Sequence, residues 1–128
     1  RRRNFKRMTE IFEPYAEYLH LPKATEKSDP CWFAYLMTVK SDAPFKRHQL
    51  VAHLETNRIQ TRSYFAGNIL AHPGYQEIAS EYGNIRKTFP VASHVTLNSF
   101  FLGTFIGLTD EKLDYIQQVV DDFFKDIK

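Results

Sequence analysis

Nine residues concentrate most of the chemistry this chain offers: Gln60-Thr61-Arg62-Ser63-Tyr64-Phe65-Ala66-Gly67-Asn68. A forked cation, two aromatic rings, a glycine and an amide fall together where a predicted strand runs out into a loop. An arginine there clamps a carboxylate or phosphate through two parallel hydrogen bonds. Tyr64 or Phe65 stacks on a flat ring, and Gly67 admits close approach of backbone to a ligand. A plain strand end with a surface arginine and a tight turn accounts for the same residues equally well.

No other catalytic constellation is evident. There is no Gly-rich phosphate loop. His48 and His53 are spaced so that they do not share a helix face as a zinc pair does. His20, His72 and His94 are scattered and read as surface or capping residues. Asp121 and Asp122 are adjacent on a predicted helix and point to different faces, so they form no acid–base pair. The single cysteine, Cys31, excludes an internal disulfide or a four-cysteine cluster built by this chain alone. Beside Trp32 at the head of an apolar run, it is expected to be buried and inert.

The elements that position the nine-residue segment follow from periodicity. Phe5, Met8, Ile11 and Phe12 have helical spacing over 4–13, and Pro14 ends that helix. Residues 21–30 read as a loop. Trp32 to Val39 reads as a central strand. A turn at Ser41–Pro44 leads to a helix over about 45–56, with Asn57 expected as a left-handed cap. Ile59–Tyr64 is predicted as a second strand. Helices are expected over 74–82 and 91–97, and Ser99–Thr104 as a third strand. The last helix is marked by Thr109 as N-cap, by Asp110 and Glu111 in its first turn, and by a stripe of Leu113, Ile116, Val119, Val120, Phe123, Phe124 and Ile127. The expected architecture is α+β, a small antiparallel or mixed sheet of about three strands with helices packed on one face.

Bulk properties bound the rest. The 128 residues suit one domain, and 43% hydrophobic residues suffice for an ordinary core. Seventeen Lys and Arg against 15 Asp and Glu give a net charge of +2, which makes no case for nucleic acid. The run Arg1-Arg2-Arg3 reads as a solvated helix face. No stretch approaches a membrane span, and no signal peptide is visible. The chain opens inside helical periodicity without an initiator methionine, so it is expected to be one part of a longer protein.

Several segments carry a family resemblance together. They are Ser28-Asp29-Pro30-Cys31-Trp32-Phe33, Ala43-Pro44-Phe45, Ile59-Gln60-Thr61-Arg62 with Phe65-Ala66-Gly67-Asn68, Asn98-Ser99-Phe100-Phe101 and Gly107-Leu108-Thr109. The chain resembles the C-terminal region of the DegT/DnrJ/EryC1/StrS sugar aminotransferase family. It is closest to the branch of CDP-4-keto-6-deoxyglucose 3-dehydratases of lipopolysaccharide O-antigen synthesis. The resemblance implies the small domain of a fold type I pyridoxal-phosphate enzyme. Residues 1–20 would link back to a large cofactor-bearing domain, and residues 21–128 would form the small domain. It implies a cytoplasmic bacterial protein, a homodimer when full length, acting on a nucleotide-linked sugar. Pyridoxal or pyridoxamine phosphate, a 2Fe-2S cluster and a reductase partner belong to the full-length dehydratase branch, so residues 1–128 alone are expected to hold no cofactor and to be inactive. Arg62, Phe65, Gly67 and Asn68 would contact substrate, with no catalytic residue and no metal ligand in the chain. An apolar face including Phe5, Met8 and Phe12 is expected to stay exposed for the large domain. A sugar aminotransferase of the same family and a non-enzymatic binding or dimerisation module are the alternatives.

Overall fold

The computed structural model describes residues 1–127. Helix α1 (Arg2–Phe12) leads through a 3-10 turn containing Pro14 to a short strand β1 (Leu19–His20), and a long loop then reaches β2 (Ala34–Val39). Helix α2 (Arg47–Thr56) is followed by β3 (Arg62–Ser63). An excursion carrying α3 (Gln76–Ser80), α4 (Ile85–Thr88) and α5 (Pro90–Asn98) returns the chain to β4 (Ser99–Gly103), and α6 (Asp110–Lys125) closes the fold.

The four strands form one antiparallel sheet in the order β1-β2-β4-β3. Alternation decides its faces. Tyr35, Met37 and Val39 from β2 and Phe100 and Leu102 from β4 point to one side, and all are buried. Onto that side pack Met8, Ile11 and Phe12 of α1, Leu50 and Leu54 of α2, and Leu113, Ile116, Val119, Val120 and Phe124 of α6. Each fully buried Leu or Phe there contributes about 1.5–3 kcal/mol relative to an exposed position. α6 starts as its sequence requires: the Thr109 hydroxyl accepts from the Lys112 N–H, and Asp110 and Glu111 occupy the positive end of the helix dipole.

The α+β class and the helix-covered sheet agree with the sequence. Several details differ. β1 is a fourth strand, too short for any periodic signal; Leu19 pairs with Val39 and supplies a core side chain. The second expected strand shrinks to Arg62–Ser63. Asn57 does not adopt the left-handed conformation. Its side chain donates to the His53 carbonyl at 2.9 Å, and Arg58 takes φ 59° instead. The Arg58 N–H then bonds to the Glu55 carbonyl and the Ile59 N–H to the Leu54 carbonyl, a Schellman closure around an arginine. The helix expected over 74–82 contracts to α3, and α4 is an additional turn capped by the Asn84 side chain.

Two burial expectations are overturned. Met8 and Phe12 are 1% and 0% exposed, and Phe5 is half-buried with its ring stacked on Trp32. The stripe of α1 is therefore spent on this chain's own core, where α6 and β2 meet it, and it is not an exposed docking face. Cys31 is exposed. It lies upstream of the first strand residue, Ala34, where the alternation that buries β2 has not yet begun.

Candidate functional site

The candidate segment begins at the C-terminal end of α2. Glu55 accepts the Thr61 N–H at 2.5 Å and the Thr61 hydroxyl at 2.8 Å. These two bonds, the backbone one first, hold the Glu55 carboxyl below its ordinary range, with a smaller push from the charge of Arg62. Thr61 is thereby pinned, and Arg62 enters β3 opposite Phe101. Directly opposed residues in an antiparallel pair share a face. Phe100, the neighbour of Phe101, is in the core, so Phe101 and Arg62 look away from it. Among the described residues Arg62 enters no ion pair. Arg62 is exposed, and the nearest charge it is seen to act on is that of Glu55.

The backbone turns sharply beyond β3. Phe65 has φ 43°, a left-handed conformation for a bulky residue that costs about 1–3 kcal/mol and persists only where its surroundings impose it. Those surroundings are explicit. The Phe65 N–H bonds to the Ser63 carbonyl at 2.9 Å. His72 Nε2–H donates to the Ala66 carbonyl at 2.7 Å. Gly67 has φ 55° and lies so close over Thr96 that any Cβ there would collide with the threonine side chain. The Asn68 N–H donates to Thr96 Oγ1 at 2.6 Å, and its buried amide donates to Ser93 Oγ at 3.1 Å while accepting the Leu70 N–H at 3.2 Å. α5 thus serves as a bracket, and the loop it holds thrusts Phe65 outward, 68% exposed.

The four residues singled out from sequence therefore separate into two pairs. Arg62 and Phe65 project to solvent on the outer side of the sheet. Gly67 and Asn68 face α5 and shape the loop. Sequence reasoning missed Phe33 and Phe101. The Phe33 ring lies 6.2 Å from Phe65, 20° from parallel, and 5.4 Å from Phe101; Phe65 and Phe101 are 5.8 Å apart. Tyr64 joins at 5.1 Å from Phe65. Only the strand register brings Phe33, Phe101 and Phe65 together, so residue spacing held no signal for this cluster. Arg62 and Phe65 stand on open surface. A separate groove of about 410 Å³ lies on the core side, between α1, α6 and the approach to β3, lined in part by Met8, Arg58, Ile59, Gln60 and Leu102.

The family model for the DegT/DnrJ/EryC1/StrS aminotransferases matches residues 1–121. The chain belongs to that family. Among DegT/DnrJ/EryC1/StrS relatives, a dTDP-4-dehydro-2,6-dideoxy-D-glucose 3-dehydratase of Saccharopolyspora spinosa is 36% identical over 123 residues, 96% of this chain and 26% of the relative. The lipopolysaccharide biosynthesis protein RfbH of Salmonella typhimurium is 34% identical over 125 residues, 97% of this chain and 28% of the relative. The solved structure of Escherichia coli GDP-4-keto-6-deoxy-D-mannose-3-dehydratase with bound hydrated PLP is 26% identical. It superposes with a TM-score of 0.68 over 93% of this chain and 29% of that one. The chain thus spans little more than a quarter of the length of the relatives it matches.

Among the described residues no lysine is buried, and no three His, Cys, Asp or Glu side chains gather as metal ligands. No helix among them is long and apolar enough to cross a membrane.

Proposed function

We propose that this chain is the small domain of a longer, pyridoxal- or pyridoxamine-phosphate-dependent sugar-nucleotide 3-dehydratase making deoxysugars for lipopolysaccharide. In that protein it helps to close over and hold the nucleotide sugar. The observation that carries this reading is the exposed Arg62, in no ion pair among the described residues, set near Phe65 on a loop tied to α5, in a chain with relatives named as 3-dehydratases of dTDP- and GDP-linked sugars. Arg62 takes the diphosphate by a forked hydrogen-bond pair. Phe65 covers a ring and excludes water as the site closes. Gly67 and Asn68 contribute through the loop they shape. The cofactor, the 2Fe-2S cluster, the reductase partner and the second subunit belong to the longer cytoplasmic protein, and α1 leads back toward its cofactor-bearing domain.

A nucleotide-sugar aminotransferase is the second reading, favoured by the description of the family model itself. One experiment addresses both. The full-length protein is purified, its cofactor absorbance is recorded, and 4-keto-6-deoxy sugar nucleotides are supplied with and without an amino donor. Loss of the 3-hydroxyl without donor-dependent amination supports the dehydratase. Donor-dependent amination supports the aminotransferase. A full-length protein without cofactor absorbance overturns both.

A further inference from the structure

The outer face of the sheet carries three phenylalanines that the core does not use. Phe33 is 54% exposed and Phe65 68%. Phe101, half-buried, touches both rings and backs them. Across the strand pair from Phe101 stands Arg62, with about 5 Å between the Cβ atoms of directly opposed residues. Phe65 is held outward against its own backbone preference. A strained residue that displays a ring to water, next to an exposed cation that enters no ion pair among the described residues, has the composition of a site for a planar ring joined to an anion.

We propose that Phe33 and Phe65, backed by Phe101, stack on the base of a nucleoside diphosphate whose phosphates Arg62 binds. This deepens the reading of Arg62 as a diphosphate clamp and rests on it. Phe33 is the new element: it comes from the loop before β2, remote in sequence from the Arg62 segment, and supplies the second exposed ring. Phenylalanine offers no hydrogen-bonding edge, so the platform accepts any base by its face and discriminates poorly among them. Specificity for one nucleotide then has to come from other parts of the longer protein.

The chain has its own core and can be tested directly. It is titrated with GDP, CDP, dTDP and, separately, pyrophosphate, following amide resonances and the fluorescence of Trp32, the residue next to Phe33. The three nucleotides are expected to shift Phe33, Phe65, Phe101 and Arg62 at millimolar concentrations and to bind within a few-fold of one another. Pyrophosphate is expected to shift Arg62 alone. Phe33→Ala should lower the ratio of nucleoside diphosphate to pyrophosphate affinity about 5–10-fold, the lower range for loss of one stacking ring. Phe33→Leu, which keeps apolar bulk without a π face, should fall between. Nucleotides that move Arg62 without moving Phe33, or an affinity ratio unchanged by Phe33→Ala, overturn the stacking proposal and leave the clamp standing. No response at Arg62 to any probe overturns both.

Discussion

Thr96 Oγ1 accepts the Asn68 N–H at 2.6 Å, directly beneath the one position, Gly67, where a side chain would strike the same threonine. This contact ties the loop after β3 to α5 and so fixes where Phe65 and Arg62 stand. Gly67→Ala adds both a steric clash and a left-handed alanine. It should cost roughly 1–3 kcal/mol of local stability, read as faster hydrogen exchange at the Asn68 amide, with the core amides of β2 little changed. Unaltered exchange at Asn68 would show that α5 does not bracket the loop.

A second tie holds α6 to the turn after α1. Tyr15 stacks on Phe124 with ring centroids 3.9 Å apart, and its hydroxyl donates to Asp121 at 2.7 Å. Burial first, and the bond to Asp121 second, push the Tyr15 phenol from 10.0 up to about 12. The folded state therefore holds this proton more tightly than the unfolded chain does. The contribution is complete below about pH 10 and is lost as pH rises toward 12. Tyr15→Phe should cost about 1–2 kcal/mol at neutral pH and flatten the decline of stability across that window, measured by urea unfolding at a series of pH values.

Tyr35 gives the opposite result. It is 0% exposed, and among the described residues its hydroxyl makes no hydrogen bond of good geometry; burial raises its pKa, with the nearby Thr9 hydroxyl pulling the other way. Tyr35→Phe removes an unsatisfied polar atom and keeps the ring that packs against Phe12 and Phe5. Stability should hold or rise by up to about 1 kcal/mol, whereas Tyr35→Ala should lose about 3–5 kcal/mol through the cavity left behind. A loss of more than about 1 kcal/mol in Tyr35→Phe would show that the hydroxyl does form a stabilising bond, with Thr9 as its candidate partner.

What the sequence disclosed follows the strength of its local signals. α6 is legible because an N-cap, two acids and a long apolar stripe agree over 16 residues. β2 is legible because its side chains leave little choice but burial. β1 has two residues and exists only because β2 offers an edge, so nothing local marks it. The helical pattern of α1 was visible, but not what its stripe would meet; that depends on α6, more than 100 residues downstream. Cys31 followed the apolar run in sequence but not in burial, since the pairing of β2 starts at Ala34. At the candidate site the residue types that suggest anion and ring binding were readable. The inward turn of Asn68 and the arrival of Phe33 were not, because both are set by contacts between distant segments.

The most direct test of the account is made on Arg62. Arg62→Lys and Arg62→Ala are introduced into the full-length protein and into this chain alone, and turnover of the nucleotide sugar and the melting temperature are both measured. With no ion pair to lose among the described residues, the melting temperature of the chain should stay within experimental scatter. In the full-length protein, Arg62→Lys keeps the charge and loses the fork, and kcat/KM should fall by the equivalent of about 1.5–3 kcal/mol. Full activity together with a lowered melting temperature would contradict the clamp and make Arg62 a structural residue of its own domain.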